Sequence, residues 1–256
     1  MSNNGHKDPF RLRLILPKGG GGAATRWLGS LLGRRRRSNV YMAPYRRLAL
    51  QLNHDLKRPD SSRSVLLATP TDSNCSAHGS LALAYSLGSE LRRPVLVVDI
   101  SPTRPEASRV LDCLNQRGCS DLLNHPDLLL EQLVLPTTHE NVFFLPAGSA
   151  PNSAPPPSSD DLRTLLRSAE EHYEFVVLSG GSVLTDFSAL AVAPHVGRAL
   201  LLVEENKTRV TDLDAAQEAL YFCNTGNVGL VHTTSVREVV PADAEFDRRD
   251  ERAPDA

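Results

Sequence analysis

The sequence predicts an α/β fold: a mostly parallel central sheet with helices on both faces. Three observations point to it. From residue 64 onward, short continuous apolar runs alternate with amphipathic stretches of helical length. The runs do not alternate apolar with polar residues, so they read as strands covered on both faces. The chain has 256 residues and 41% hydrophobic content, enough for one α/β domain with a sizeable core and two tails.

The elements follow in order. Residues 44–58 read as a helix, with Pro44 in its first turn, Leu48, Leu52 and Leu56 on one face, and Pro59 ending it. Val65-Leu66-Leu67-Ala68 is strand-like, and residues 78–92 carry a helical pattern through Leu81, Ala84, Leu87 and Leu91. Val95 to Asp99 is a second strand, 106–116 a helix, and Asn141 to Leu145 a third strand. A Pro/Ser loop over Ser149 to Ser159 precedes a helix over Asp160 to Tyr173, with Ser158, Ser159 or Asp160 available as N-cap. Phe175 to Leu178 is a fourth strand, and 185–194 is helical or irregular. Ala199 to Val203 is a fifth strand, Val210 to Phe222 a helix and Val228 to His232 a sixth strand. No internal repeat is visible.

Charge divides the chain. Residues 1–60 carry 13 Lys/Arg against 3 Asp/Glu, and residues 61–256 carry 15 against 27. The expected organisation is a basic arm over 1–42, a folded domain over 43–240, and a charged, disordered tail over 241–256. Within the arm, residues 1–23 read as polar and end in the glycine run Gly19 to Gly22. Trp27, Leu28, Leu31 and Leu32 share one face of a short helix, followed by Arg34, Arg35, Arg36 and Arg37. An apolar face beside a polybasic run is the pattern of an interfacial membrane contact. The rival readings are nucleic acid, the protein's own acidic surface, or a basic linker that touches nothing. The acidic body and the lack of interleaved aromatics argue against nucleic acid.

No apolar run approaches the roughly 20 residues that span a bilayer, and the N-terminus lacks the pattern of a secretory signal. Cys75, Cys113, Cys119 and Cys223 have no C-x-x-C spacing, so they read as reduced thiols in a cytosolic protein, with no metal site expected.

In such a fold a ligand binds beyond the carboxyl ends of the strands, and the first strand-to-helix loop cradles phosphate. That loop here is residues 69–80. Several segments around it carry a resemblance. Tyr45-Arg46-Arg47-Leu48, Val95 to Asp99 followed by Arg104-Pro105, and Gly118-Cys119-Ser120-Asp121-Leu122-Leu123 are three of them. Asn141 to Gly148 ending Leu-Pro-Ala-Gly, Tyr173-Glu174-Phe175-Val176-Val177, and Lys207-Thr208-Arg209 complete the series. In this order they resemble the kinase domain of the bacterial P-loop tyrosine kinases of capsule and exopolysaccharide export, within the ParA/MinD-like group. The match covers about residues 43–235. It implies a P-loop NTPase-like three-layer fold.

The departures from that family bear on activity. A P-loop reads G-x-x-x-x-G-K-[ST], with glycines for close backbone approach, Lys for the phosphates and a hydroxyl for magnesium. Residues 69–80 contain only Gly79 and no lysine. Following Cys75, Ser76 occupies the Lys position, with Ala77 and His78 after it. The family's D-x-D is Asp99-Ile100-Ser101, and its Asp-Thr-Pro-Pro is Ser179-Gly180-Gly181-Ser182. Thr233 stands where the family often has an adenine-side Asn. The family's tyrosine cluster and its E-x-x-R-x-x-R ring motif are reduced to a last tyrosine at Tyr221 and to Arg46, a candidate oligomer or partner contact.

Phosphoryl transfer is positioning plus electrostatics, so weak or absent ATP/Mg²⁺ binding and no kinase activity are expected. Gly180-Gly181 reads as a tight turn rather than an anion cradle. A Ser76/His78/Asp99 hydrolytic set and a reactive Cys75 are weaker readings than an inert polar loop. The resemblance implies a pseudokinase scaffold or regulatory subunit, cytoplasmic or peripheral at the inner membrane face. Its implied partner is a chain-length-determining (co-polymerase) membrane protein or a kinase homologue, with anionic lipid as a further contact. An enzyme with non-standard nucleotide chemistry built on Asp99, His78 and Ser179, and a ParA-like positioning protein, are the alternatives.

Overall fold

The computed structural model describes residues 35–56, 62–125, 127–148, 157–223 and 225–233. Seven strands form one sheet: β1 (Ser64–Thr69), β2 (Val95–Asp99), β3 (Leu135–Pro136), β4 (Val142–Leu145), β5 (Phe175–Ser182), β6 (Arg198–Glu204) and β7 (Val228–Thr233). Their order is β3-β4-β2-β5-β1-β6-β7. Every pairing is parallel except β3 with β4. The expected α/β architecture holds.

The strands are apolar runs because both faces are covered. Val65, Leu67, Val95 and Val97 face one layer, made of α1 (Arg35–Asp55), α2 (Cys75–Leu91) and α3 (Glu106–Val110). Leu66, Ala68, Leu96 and Val98 face the other. That layer holds α4 (Cys119–Asn124), α5 (Leu130–Leu133), α6 (Ser159–His172), α7 (Phe187–Val192) and α8 (Val210–Phe222). Successive side chains of a strand point to opposite faces, so one apolar run feeds two cores. The Ser158 hydroxyl caps α6 by accepting from Asp161 N–H at 3.1 Å, which selects one of the three expected caps.

Four boundaries differ from those expected. α1 begins at Arg35, across the arm–domain boundary at 42/43, and carries Pro44 in its interior instead of its first turn. Met42, upstream of Pro44, is buried, so tertiary packing extends the helix past a residue that removes one backbone bond. The chain around Pro59 lies outside the described residues. α2 begins at Cys75, three residues earlier than its apolar pattern. α3 ends at Val110, not at 116, because Asp112 turns left-handed (φ 58) and Cys113 N–H returns to Ser108 O. β5 runs on to Ser182, so Gly180-Gly181 is strand and not a tight turn. The short elements β3, α4 and α5 carry too few residues for a periodic signal.

Candidate functional site

The expected site lies where β1, β2, β5 and β6 end. Loop 70–74 leaves β1 there and enters α2. β5 runs three residues past its last pairing with β2, and its end passes beside this loop. Thr69 Oγ1 donates to Gly181 O at 3.2 Å, and Ser182 Oγ donates to Pro70 O at 3.1 Å. Val183 N–H donates to Thr69 O at 2.8 Å and Leu184 N–H to Pro70 O at 3.2 Å. Gly181 adopts φ +63, and a Cβ there would stand 3.2 Å from Ser101 Oγ. Gly180 thus lets β5 lie close against β1, and Gly181 lets it pass close to Ser101 just beyond β2.

The other flank of the loop is tied as well. Thr185 Oγ1 donates to Asp72 Oδ1 at 2.7 Å, and Arg104 pairs with Asp72 Oδ2 at 2.9 Å. Ser73 Oγ donates to Glu204, which also holds Lys207 Nζ at 2.6 Å. Glu204 sits below the usual carboxylate range: partial burial opposes this, and hydrogen bonds from Lys207, Ser73 and Cys75 outweigh it. The segment that cradles phosphate in a P-loop therefore carries one carboxylate, Asp72, and leans on a second, Glu204. Each already has its own cation.

The sequence-predicted residues separate into three groups. Ser76 and Ala77 are buried in the first turn of α2, and the Ser76 hydroxyl has no hydrogen-bond partner. His78 turns back on its own helix start, with Nδ1 2.9 Å from Asn74 O. Gly79 allows close packing, since a Cβ there would stand 2.7 Å from Leu202 Cδ2. Cys75, Ser73, Glu204 and Thr233 form a second group. Burial, aided by Glu204, pushes the Cys75 thiol up, opposite to what a reactive thiol needs. Thr233 Oγ1 donates to Val203 O at 3.2 Å.

Asp99 and Ser101 anchor the third group. Asp99 is buried, and its Oδ2 accepts from Ser108 N–H and Ser108 Oγ, both at 2.8 Å. Ser108 Oγ accepts from Ala147 N–H at 3.0 Å, so Asp99 joins β2, α3 and the loop after β4. Burial lifts its carboxyl to about 7, against the pull of the Ser108 and Ser101 hydrogen bonds. Ser179 lies beside it in the β2–β5 register. Ser101 Oγ donates to Asp186 Oδ2, which also accepts from Thr103 Oγ1 at 3.3 Å. Asp186 Oδ1 caps α7 through Ser188 N–H at 2.9 Å. Sequence reading missed Asp186; its only signal was an Asp followed by a short apolar stretch.

Arg46 sits on the exposed side of α1 and pairs with Glu90 of α2. Trp27, Leu28, Leu31, Leu32 and Arg34 lie outside the described residues, and Arg35, Arg36 and Arg37 form the first turn of α1. The four cysteines form no disulfide. Burial pushes the Cys113 and Cys119 thiols up to about 12. Among the described residues no cluster of three or more metal-ligating side chains occurs, and no helix is long and apolar enough to cross a membrane.

No family model matches the chain, and no curated protein does. Solved structures do. The kinase domain of Escherichia coli tyrosine kinase ETK is similar at 19% identity and TM-score 0.68, over 78% of each chain. The VpsO kinase domain is similar at 18% and 0.63, over 78% of this chain and 99% of its own. The septum site-determining protein MinD of Pyrococcus horikoshii OT3, solved with Mg-ADP, is similar at 22% and 0.55, over 66% and 68%. With its parallel sheet and two helical layers, the chain has the P-loop fold shared by the bacterial tyrosine-kinase domains and the MinD proteins.

Proposed function

We propose that this protein is a non-catalytic relative of the bacterial tyrosine kinases, a pseudokinase scaffold or regulatory subunit in exopolysaccharide or capsule export. One observation carries the reading: loop 70–74, the counterpart of a phosphate cradle, is tied by the chain's own groups on both flanks and is bonded to or carries the carboxylates Glu204 and Asp72. A polyphosphate placed there would meet two carboxylates, each already paired, and no lysine at position 76. Losing a single preorganised electrostatic group already costs about 2.7–4 kcal/mol of transition-state stabilisation. The kinase-like fold supports a partner of the kind such domains serve: the cytoplasmic end of a chain-length-determining co-polymerase, or an active kinase homologue. The basic arm supports a peripheral position at the inner membrane face, against anionic lipid.

The measurement is isothermal titration of ATP and ADP, with and without Mg²⁺, into the full chain. The expected result is no heat at millimolar nucleotide. Micromolar, Mg²⁺-dependent binding overturns the reading.

A second reading rests on the Asp99–Ser101–Asp186 group, two buried acids linked through one serine. It is a nucleotide enzyme with non-standard chemistry. Under it the same titration shows Mg²⁺-dependent binding that Asp99→Asn abolishes.

A further inference from the structure

The two edges of the sheet are unlike. β3 is two residues long, antiparallel and ends in Pro136, a blunted edge. β7 is six residues, parallel and without proline. Ala199 N–H donates to Asn227 O, and Glu205 N–H donates to Thr233 O. The N–H and C=O of one strand residue point to the same side, and the side alternates along the strand. Residues 227, 229, 231 and 233 therefore face β6. Val228, Leu230 and His232 turn their N–H and C=O toward the open edge, and the sheet order ends there among the described residues.

The surface beside this edge is apolar. Leu230 is 52% exposed, and Tyr221 and Phe222 at the end of α8 are 78% and 76% exposed. Val228 packs with α8, which places Leu230, two residues on, on the same side of the sheet. A depression of about 440 Å³ between α8 and the foot of β7 is lined by Glu218, Tyr221, Thr225 and Val228. Thr225 is buried with its hydroxyl unpartnered. A long apolar edge left open is a template for pairing with another strand.

The chain contains a segment with the matching pattern. Within the stretch 1–23, polar as a whole, Phe10-Arg11-Leu12-Arg13-Leu14-Ile15-Leu16 is a locally apolar exception between Pro9 and Pro17, outside the described residues. Phe10, Leu12, Leu14 and Leu16 recur with period 2, the spacing of one strand face. The 18 residues from 17 to 34 lead to α1. At about 3.3 Å each they reach up to roughly 60 Å, against about 20 Å for a six-residue strand. The basic arm and the acidic body attract one another. We propose that residues 10–16 add as a strand to the open edge of β7 in the same chain, their Phe/Leu row covering Leu230 and Tyr221.

The test is hydrogen–deuterium exchange on the full chain at two protein concentrations, beside Leu14→Pro and the double variant Leu12→Asp/Leu14→Asp. The expected result is that the amides of Val228, Leu230 and His232 exchange at least about tenfold faster in both variants. Amides of Val97 and Val177 should be unchanged, which shows that the body is intact. Protection independent of concentration supports the same-chain strand. Equal exchange in wild type and both variants overturns the proposal and leaves the chain after Thr233, or another protein, as the cover. Protection that grows with concentration also overturns it, since the strand then comes from a second copy.

Discussion

Leu66, Leu96 and Val176 in the middle of the sheet are 0% exposed; Ser76, Asp99 and Ser179 at its carboxyl edge are 1%, 1% and 2% exposed. These residues are closed to solvent in both regions, by different chemistry. The middle is closed by apolar side chains from two helical layers. The edge is closed by hydroxyls, carboxylates and backbone carbonyls that satisfy one another, from Thr69–Gly181 to Ser101–Asp186. In a P-loop protein that edge is where a nucleotide docks. Here Thr69, Asp72, Ser73, Ser101 and Ser182 around the loop have protein partners, and the buried Ser76 hydroxyl has none. The apolar middle thus carries the fold, and the polar residues at the carboxyl edge bond in large part to one another.

The largest blow to this comparison falls on the middle. Leu96→Ala opens a cavity in the core shared with α6 and α7 and should destabilise by about 2–5 kcal/mol in denaturant titration. A near-neutral result would remove the claim that this face is closely packed.

Asp99 sharpens the contrast through pH. Its carboxyl stands at about 7 in the folded protein against 3.8 in the free side chain. A raised carboxyl pKa means that the folded state holds its proton more tightly. The cost of ionising Asp99 is therefore absent below about pH 4, grows between pH 4 and 7, and is constant above. The wild type should lose stability from pH 5 to 8, and Asp99→Asn should flatten that slope. Parallel slopes in the two proteins would mean that burial does not govern this group.

The same contrast explains what was legible in the sequence. Strands such as Val95 to Asp99 announce themselves because burial on both faces leaves an uninterrupted apolar run. The missing lysine at Ser76 was equally plain, since identity alone decides it. The network at the edge was not, because its partners are far apart in sequence: Ser101 and Asp186, Asp72 and Thr185, Ser73 and Glu204. Nothing periodic joins them, and Gly180-Gly181 looks like a turn until Thr69 and Pro70 are laid beside it. Pro44 misled for the opposite reason, a strong local signal overridden by packing at Met42.

The smallest effect tests the loop's ties directly. Asp72→Ala removes the acceptor of both Arg104 and Thr185. Arg104 and Asp72 are about half exposed, so solvent screens their pair, and the loss should stay within roughly 1 kcal/mol. The local consequence should be larger than the global one: amides of residues 71–74 should exchange faster while those of β1 and β2 do not. The variant also takes one carboxylate out of the loop after β1. If the kinase chemistry were merely masked by Asp72, ATP binding would now appear. The expected result is that it does not, because a loosened loop still lacks lysine at position 76 and still faces Glu204 through Ser73. Binding gained by this single change would make loop 70–74 a latch over a working site and not its replacement.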